Sequence, residues 1–347
     1  MRPFAYERAA GTADALRLAA DDPSSQEGGD VAAQYLAGGT TLLDLMKIDV
    51  MRPAALIDIN ALQREHGRIH ADAAGLELGA LVRMSEAAAH PVIRTEYPAI
   101  RDALWLAASA QLRNMASLAG NVLQRTRCNY FRDVSWPCNK RTPGSGCSAK
   151  EGVNRRLAVL GVSEHCIANY PGDLAHVLAA FGAEVDILGV DGREHCIAFE
   201  HLHRPPGDTP HVETTLARGD LITRFRVPAG PWTRRSLYLK IRDRESYEFA
   251  LASAAVALHI EQGVVREARI GLGGMTAKPW RSHAAEDSLR GRAIDERTAT
   301  EAADAAFAGA VTHGENAFKP ELGRRTLVRA LLAAARMDTH AMRTEPA

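Results

Sequence analysis

The sequence predicts an α+β chain of three units, and three observations carry that prediction. From Phe4 to Asn60, strand-like and helix-like periodicities alternate. From Leu76 to Val227, strands and amphipathic helices surround a long polar segment that holds most of the cysteines. After Pro228–Gly230 the pattern changes to strands joined by turns, and then to a helical tail. The expected units are therefore residues 1–60, 61–228 and 229–347.

Taken in order, the first unit reads strand (4–9), helix (12–20), strand (32–39), helix (40–47) and strand (54–60). Residues 21–30, DDPSSQEGGD, form a polar Gly/Ser-rich insertion expected in solvent. Ala37-Gly38-Gly39-Thr40-Thr41 falls where a strand ends and a helix begins, so backbone N–H groups and the helix dipole converge there, as at phosphate sites. The same pattern also serves as a plain helix start.

The second unit opens with a strand (76–84), a short helix (85–90) and a longer one (97–110) whose Ile100, Leu104, Leu106 and Ala107 should face the core. Ser117–Asn121, SLAGN, reads as a second small-residue turn, or as a helix ending at Gly120. Asp173 opens a helix behind Pro171, and an Asp-Gly hairpin follows over 185–200. His201, His203 and His211 lie in a Pro-rich stretch expected at the surface, without a metal-ligand frame. In the third unit Lys240 sits on a strand where solvation is the ordinary fate of a lysine, and Gly271-Leu272-Gly273-Gly274 reads as a turn, because no helix follows it promptly. Residues 292–311 and 323–337 have the period of helices packed on a sheet.

Composition limits the function classes. The 347 residues are 46% hydrophobic, enough for two or three cores, and the 42 basic residues balance the 42 acidic ones. Global charge therefore argues for neither nucleic acid nor a membrane surface. No apolar run reaches the roughly 18 residues of a membrane span, and the start lacks a signal-peptide pattern, so membrane insertion and self-directed export are not expected.

Cys128, Cys138, Cys147 and Cys166 are separated by 10, 9 and 19 residues on a loop spanning 124–166. Three of them stand among Arg, Asn, Lys, Pro and Gly, where no apolar core is expected. Thiolates on such a loop suit an iron–sulfur centre better than zinc, because neither C-x-x-C nor H-x-H spacing occurs among them. Eight basic residues between Gln124 and Arg156 (Arg125, Arg127, Arg132, Lys140, Arg141, Lys150, Arg155, Arg156) face only Asp133 and Glu151, a local balance of +6 that calls for an anionic neighbour. The fifth cysteine, Cys196, repeats the EHCIA context of Cys166 but lies on a hairpin strand, where ordering around a cluster is harder than on a loop.

Three stretches, LAGGTTLLDLMK (36–47), AGNVLQRTRCNYFRD (119–133) and PCNKRTPGSGC (137–147), resemble the FAD-binding subunit of bacterial molybdenum hydroxylases of the xanthine dehydrogenase family. The likeness is strongest to the periplasmic aldehyde oxidoreductase type that carries an extra [4Fe-4S] cluster, and it covers nearly the whole chain. It implies a two-lobed PCMH-type, vanillyl-alcohol-oxidase-like FAD-binding fold over 1–60 and 61–228, followed by a CO dehydrogenase flavoprotein C-terminal type domain of antiparallel sheet with helices. It also implies that Gln34, Tyr35, Leu36, Ala37, Gly38, Gly39, Thr40, Thr41 and Leu42 cradle the FAD pyrophosphate. Ser117, Gly120 and Asn121 would meet the nucleotide from the other side, Asp173 and Lys240 would contact the flavin, and Cys128, Cys138, Cys147 and Cys166 would hold the cluster.

The implied activity is electron transfer within an oxidoreductase, with no catalytic side chain in this chain. The implied partners are a large molybdenum-cofactor subunit and a small subunit with two [2Fe-2S] clusters; the implied compartment is the periplasm, through a signal-bearing partner, or the cytoplasm. Two competing readings are a self-sufficient flavin alcohol oxidase, which leaves the cysteine loop unexplained, and a zinc-stapled scaffold.

Overall fold

The computed structural model describes residues 1–21 and 33–338, so all but the first residue of the polar stretch 21–30 lies outside the described residues. In the first unit, strands β1 (Ala5–Arg8), β2 (Gln34–Leu36) and β3 (Ala55–Asp58) form a parallel sheet in the order β1-β3-β2, with helices α1 (Thr12–Ala20) and α2 (Leu42–Lys47) as connections. Ala15, Leu16 and Ala19 of α1 pack on Ile57, because their spacing places them on one helical face.

The second unit adds α3 (Gln63–His66), β4 (Ile69–Ala71), β5 (Gly75–Gly79), α4 (Met84–Ala89), α5 (Pro91–Glu96), α6 (Pro98–Trp105), α7 (Ala110–Met115), α8 (Leu118–Val122), α9 (Asn129–Arg132), α10 (Leu174–Phe181), β6 (Glu184–Leu188), β7 (Glu194–Ala198) and β8 (Leu221–Pro228). Its sheet is antiparallel, in the order β4-β5-β8-β6-β7. Ile100, Leu104 and Ala107 are buried as the periodicity requires, and Leu106 is partly buried against the same core. SLAGN is not a free turn: Ser117 caps α8, accepting from the Gly120 N–H at 3.2 Å, which puts Gly120 in the first turn of a helix rather than at a helix end.

The third unit is the antiparallel sheet β12-β11-β10-β9, made of β9 (Ser236–Ile241), β10 (Ala252–Glu261), β11 (Val264–Gly273) and β12 (Trp280–Arg281), with α11 (His283–Leu289), α12 (Glu296–Phe307) and α13 (Lys319–Ala335). Strand alternation divides β10 between two cores. Ala252, Ala254, Val256 and Leu258 face α11–α13, while Ala255 and Ala257 face the second unit.

Helix α10 lies in that second core with all eight residues buried, as an apolar-all-round helix must. This packing corrects the expectation for Gly271–Gly274. Gly271 to Gly273 close β11, and only Gly274, at φ +73°, turns the chain. A Cβ on Gly271 would lie 2.2 Å from the His176 carbonyl oxygen, so glycine is there to let α10 approach the sheet. Among the described residues no helix is long and apolar enough to cross a membrane.

Candidate functional site

The Gly38–Thr41 turn joins β2 to α2 and is closed by Leu43 N–H donating to the Gly39 carbonyl at 3.0 Å and Leu45 N–H to the Thr41 carbonyl at 3.0 Å. Gly39 sits at φ +71°, where a side chain is strained. Gly38 has a packing role: a Cβ there would fall 1.9 Å from the Met115 carbonyl oxygen. The missing side chain makes room for the backbone that leads into Ser117, and the Gly38–Thr41 turn and the start of α8 therefore lie side by side across the seam between the units.

Arg83 fastens the seam, donating to Met115 O at 2.6 Å and to Asn60 Oδ1 at 2.8 Å, while Asn60 Nδ2 donates to Ala37 O at 3.0 Å. Neither residue carries a sequence motif. Nearby, the Asn121 side-chain oxygen is buried without a hydrogen-bond partner among the described residues, the kind of group a bound molecule would satisfy.

Asp173 and Lys240, which the sequence offers as separate contacts, form one ion pair of 2.8 Å with both side chains at most 5% exposed. Lys240 also donates to Leu106 O at 3.1 Å, so its environment is the opposite of a solvated strand lysine. Tyr238, two residues back on the same face of β9, donates to the other Asp173 oxygen at 2.6 Å. Burial, followed by the Asp173 charge, pushes the Tyr238 hydroxyl well above its ordinary pKa. Sequence reasoning missed Tyr238, whose only cue is its i−2 relation to Lys240.

The four loop cysteines come together. Cys128, Cys138 and Cys166 are buried and Cys147 half-buried in one cluster with Leu45, Val50, Phe131, Ala149 and Ile167, and all four are free thiols. Against the expectation of a coreless loop, this segment has a small core of its own. Cys138 and Cys147 face each other across a short antiparallel bridge. Cys166 receives the Ala168 N–H at 3.5 Å.

Burial pushes the Cys128 thiol up to about 12 and the Cys166 thiol up to about 11. Bare thiolates are disfavoured there, and amide donors together with a bound cationic centre would offset that cost. Among the described residues no three His, Cys, Asp or Glu side chains stand at the spacing of ligands to a single metal ion. Cys196 lies apart, exposed on edge strand β7 opposite Asp186.

The +6 balance of the loop is met mostly by acids distant in sequence. Arg127 and Arg132 reach Asp44 at 2.8 and 2.7 Å, and Arg125 and Lys140 reach Glu213 at 2.7 and 3.3 Å. Arg155 and Arg156 reach Asp243, and Lys150 reaches Glu164 inside the loop. The anionic neighbours that the sequence calls for thus include four carboxylates of the chain itself. His203 also departs from its expected surface position: it is buried against Tyr170, its Nε2 lies 3.1 Å from Val122 O, and burial lowers it to about 4.

The profile described as "FAD binding domain in molybdopterin dehydrogenase" matches residues 2–230, about two thirds of the chain, and the "CO dehydrogenase flavoprotein C-terminal domain" matches 237–334. The chain belongs to this molybdopterin dehydrogenase FAD-binding family. It is 43% identical over 336 residues to the aldehyde oxidoreductase FAD-binding subunit PaoB of Escherichia coli K12, covering 97% of this chain and 99% of that protein. The fold is that of quinoline 2-oxidoreductase from Pseudomonas putida 86 (TM-score 0.72, 23% identity, 96% of this chain and 98% of that one). Reconstituted CO dehydrogenase from Oligotropha carboxidovorans is equally similar (TM-score 0.73, 22% identity, 96% and 98%).

This molybdopterin dehydrogenase flavoprotein is thus an oxidoreductase FAD-binding subunit with the expected α+β architecture. The groups around its seam fit such a cofactor: a positive-φ turn at Gly39, a helix start at Ser117 and an Asn121 oxygen, an acceptor, left unsatisfied among the described residues. Gln34, Tyr35 and Leu36 lead into the turn as β2, and Thr40, Thr41 and Leu42 lead out of it into α2.

Proposed function

We propose that the chain is the FAD and [4Fe-4S] electron-transfer subunit of a heterotrimeric molybdenum-dependent aldehyde oxidoreductase. The observation that carries this reading is the 43% identity to an aldehyde oxidoreductase FAD-binding subunit along nearly the full length of both chains. The gathering of four free cysteines in one buried nest supports its cluster component. The lobes are residues 1–60 and 61–228, and 229–347 form the C-terminal domain. Gln34–Leu42 and Ser117, Gly120 and Asn121 hold the FAD nucleotide from opposite sides of the seam, and the paired Asp173 and Lys240 meet the flavin.

Cys128, Cys138, Cys147 and Cys166 hold the cluster, the Cys166 sulfur supported by the Ala168 N–H. The chemistry that FAD supplies when bound is the passage of electrons from the iron–sulfur clusters of a small partner subunit to an external acceptor. Substrate oxidation belongs to a large molybdenum-cofactor subunit. What the polypeptide contributes is a dry, hydrogen-bonded socket, with Tyr238 and Lys240 fixing both oxygens of Asp173.

The test is aldehyde turnover. The single chain, purified free of partners, is expected to carry flavin and to oxidise no aldehyde, and the reconstituted complex to oxidise it. Turnover by the pure chain would replace this reading with a self-sufficient flavin oxidase.

A further inference from the structure

We propose that Asp44 is a positioning residue that couples the cysteine nest to the FAD cradle, so that each group binds more tightly when the other is present. The inference rests on the FAD and cluster assignments above. Asp44 belongs to α2, the helix that continues directly from the Gly38–Thr41 turn. Its carboxylate receives Arg127 at 2.8 Å and Arg132 at 2.7 and 3.1 Å.

Those two arginines bracket a cluster cysteine. Arg127 precedes Cys128, and Arg132 closes the single helical turn that Cys128 opens, with its N–H bonded to Cys128 O at 3.1 Å. The next residue of α2, Leu45, is buried in the same nest as Cys128, Cys138 and Cys166, as is Val50 just beyond the helix. The helix of the cradle and the loop of the cysteines therefore share one packed, charge-paired body.

Two cations this close repel unless the carboxylate stays between them, which makes the arrangement dependent on Asp44. Binding of a cluster orders the segment that supplies its ligands. An ordered segment presents Arg127 and Arg132 to Asp44 in one geometry, and this fixes α2 and the turn that precedes it. By linkage, FAD on that turn must stabilise the loop by the same factor. An ion pair that merely stabilises the fold would lower the melting temperature when removed, yet would not make FAD affinity depend on iron.

The experiment uses the purified complex and measures the FAD dissociation constant by flavin fluorescence, before and after chelation of iron. In the native complex iron removal should raise the constant by about five-fold or more, the lower end of typical coupling. In Asp44→Asn the iron-loaded constant should already be raised and the effect of chelation should shrink towards one-fold; Asp44→Glu, which keeps the charge, should restore part of it. Conversely, deflavinated native complex should release iron faster than the holo-complex. If Asp44→Asn does not assemble, Arg132→Gln, which removes one pair from the loop side, carries the same comparison.

An FAD constant unchanged by iron removal, or an equal effect of chelation in native and variant complexes, overturns the coupling alone. A native complex purified without iron beyond that of its partners' clusters, or without flavin, overturns the underlying assignments and the coupling with them.

Discussion

Gly38→Ala should loosen FAD by opening the seam between the first two units. The added Cβ would lie 1.9 Å from the Met115 carbonyl oxygen, 2.6 Å from its carbonyl carbon and 3.2 Å from Ala116 Cα, all of them backbone atoms that no rotamer change can move aside. Favourable heavy-atom separations are roughly 3.5–4 Å, so turn and backbone must part by about 1–2 Å. Overpacking of this kind costs about 1–3 kcal/mol, offset by the roughly 0.4–1 kcal/mol that Gly→Ala gains by restricting the unfolded chain. If the displacement falls on the cradle, FAD affinity drops about 10- to 100-fold, at 1.4 kcal/mol per factor of ten. Flavin fluorescence titration of deflavinated protein reads this directly, with Gly309→Ala as control, since nothing lies within 4 Å of a Cβ there. A Gly38→Ala protein with native FAD affinity and native melting behaviour would refute the reasoning, because the seam would then not shape the site.

Two further substitutions probe the cysteine loop and its clamp. Cys166→Ser should abolish the broad cluster absorbance and destabilise the loop, whereas Cys196→Ser, at an exposed strand position, should leave iron near the roughly four atoms of a cubane; the reverse pattern would move the fourth ligand to the hairpin. Glu213 is held at about 2, against an ordinary 4.5, because burial, which would raise it, is outweighed by Lys140 and then Arg125. A depressed carboxylate stabilises the folded state above pH 4.5 and loses that contribution as pH falls towards 2. Glu213→Gln should therefore destabilise by at most about 3 kcal/mol near neutrality. In denaturant unfolding the gap to the native protein should close towards about pH 2; a constant gap across that window would contradict a charged clamp.

What the sequence makes legible here is what spacing alone encodes. Periodicity locates α6, the Pro171 and Asp173 start signal locates α10, the Asp-Gly pair locates the β6–β7 hairpin, and the free cysteines on one polar loop locate the nest. Close contact between distant segments leaves no such trace. Asp173 and Lys240 are 67 residues apart, and only the packing of α10 against the sheet of the third unit reveals that each is the other's partner and that Tyr238 completes the pair. The basic loop looks unbalanced because Asp44, Glu213 and Asp243, its neutralising acids, come from all three units.

Glycine is similarly ambiguous in one dimension. At Gly271 it admits a helix, at Gly38 a neighbouring backbone and at Gly39 a positive φ, three causes that share one letter.

Whether one chain holds both FAD and a four-iron cluster is decided by cofactor analysis of the purified complex. One FAD and about four irons per copy of this chain, beyond those of its partners, are expected, with cluster absorbance near 400 nm superimposed on the flavin spectrum and lost in Cys166→Ser. A complex with flavin but no such iron, or a colourless one whose cysteines hold zinc, would contradict it.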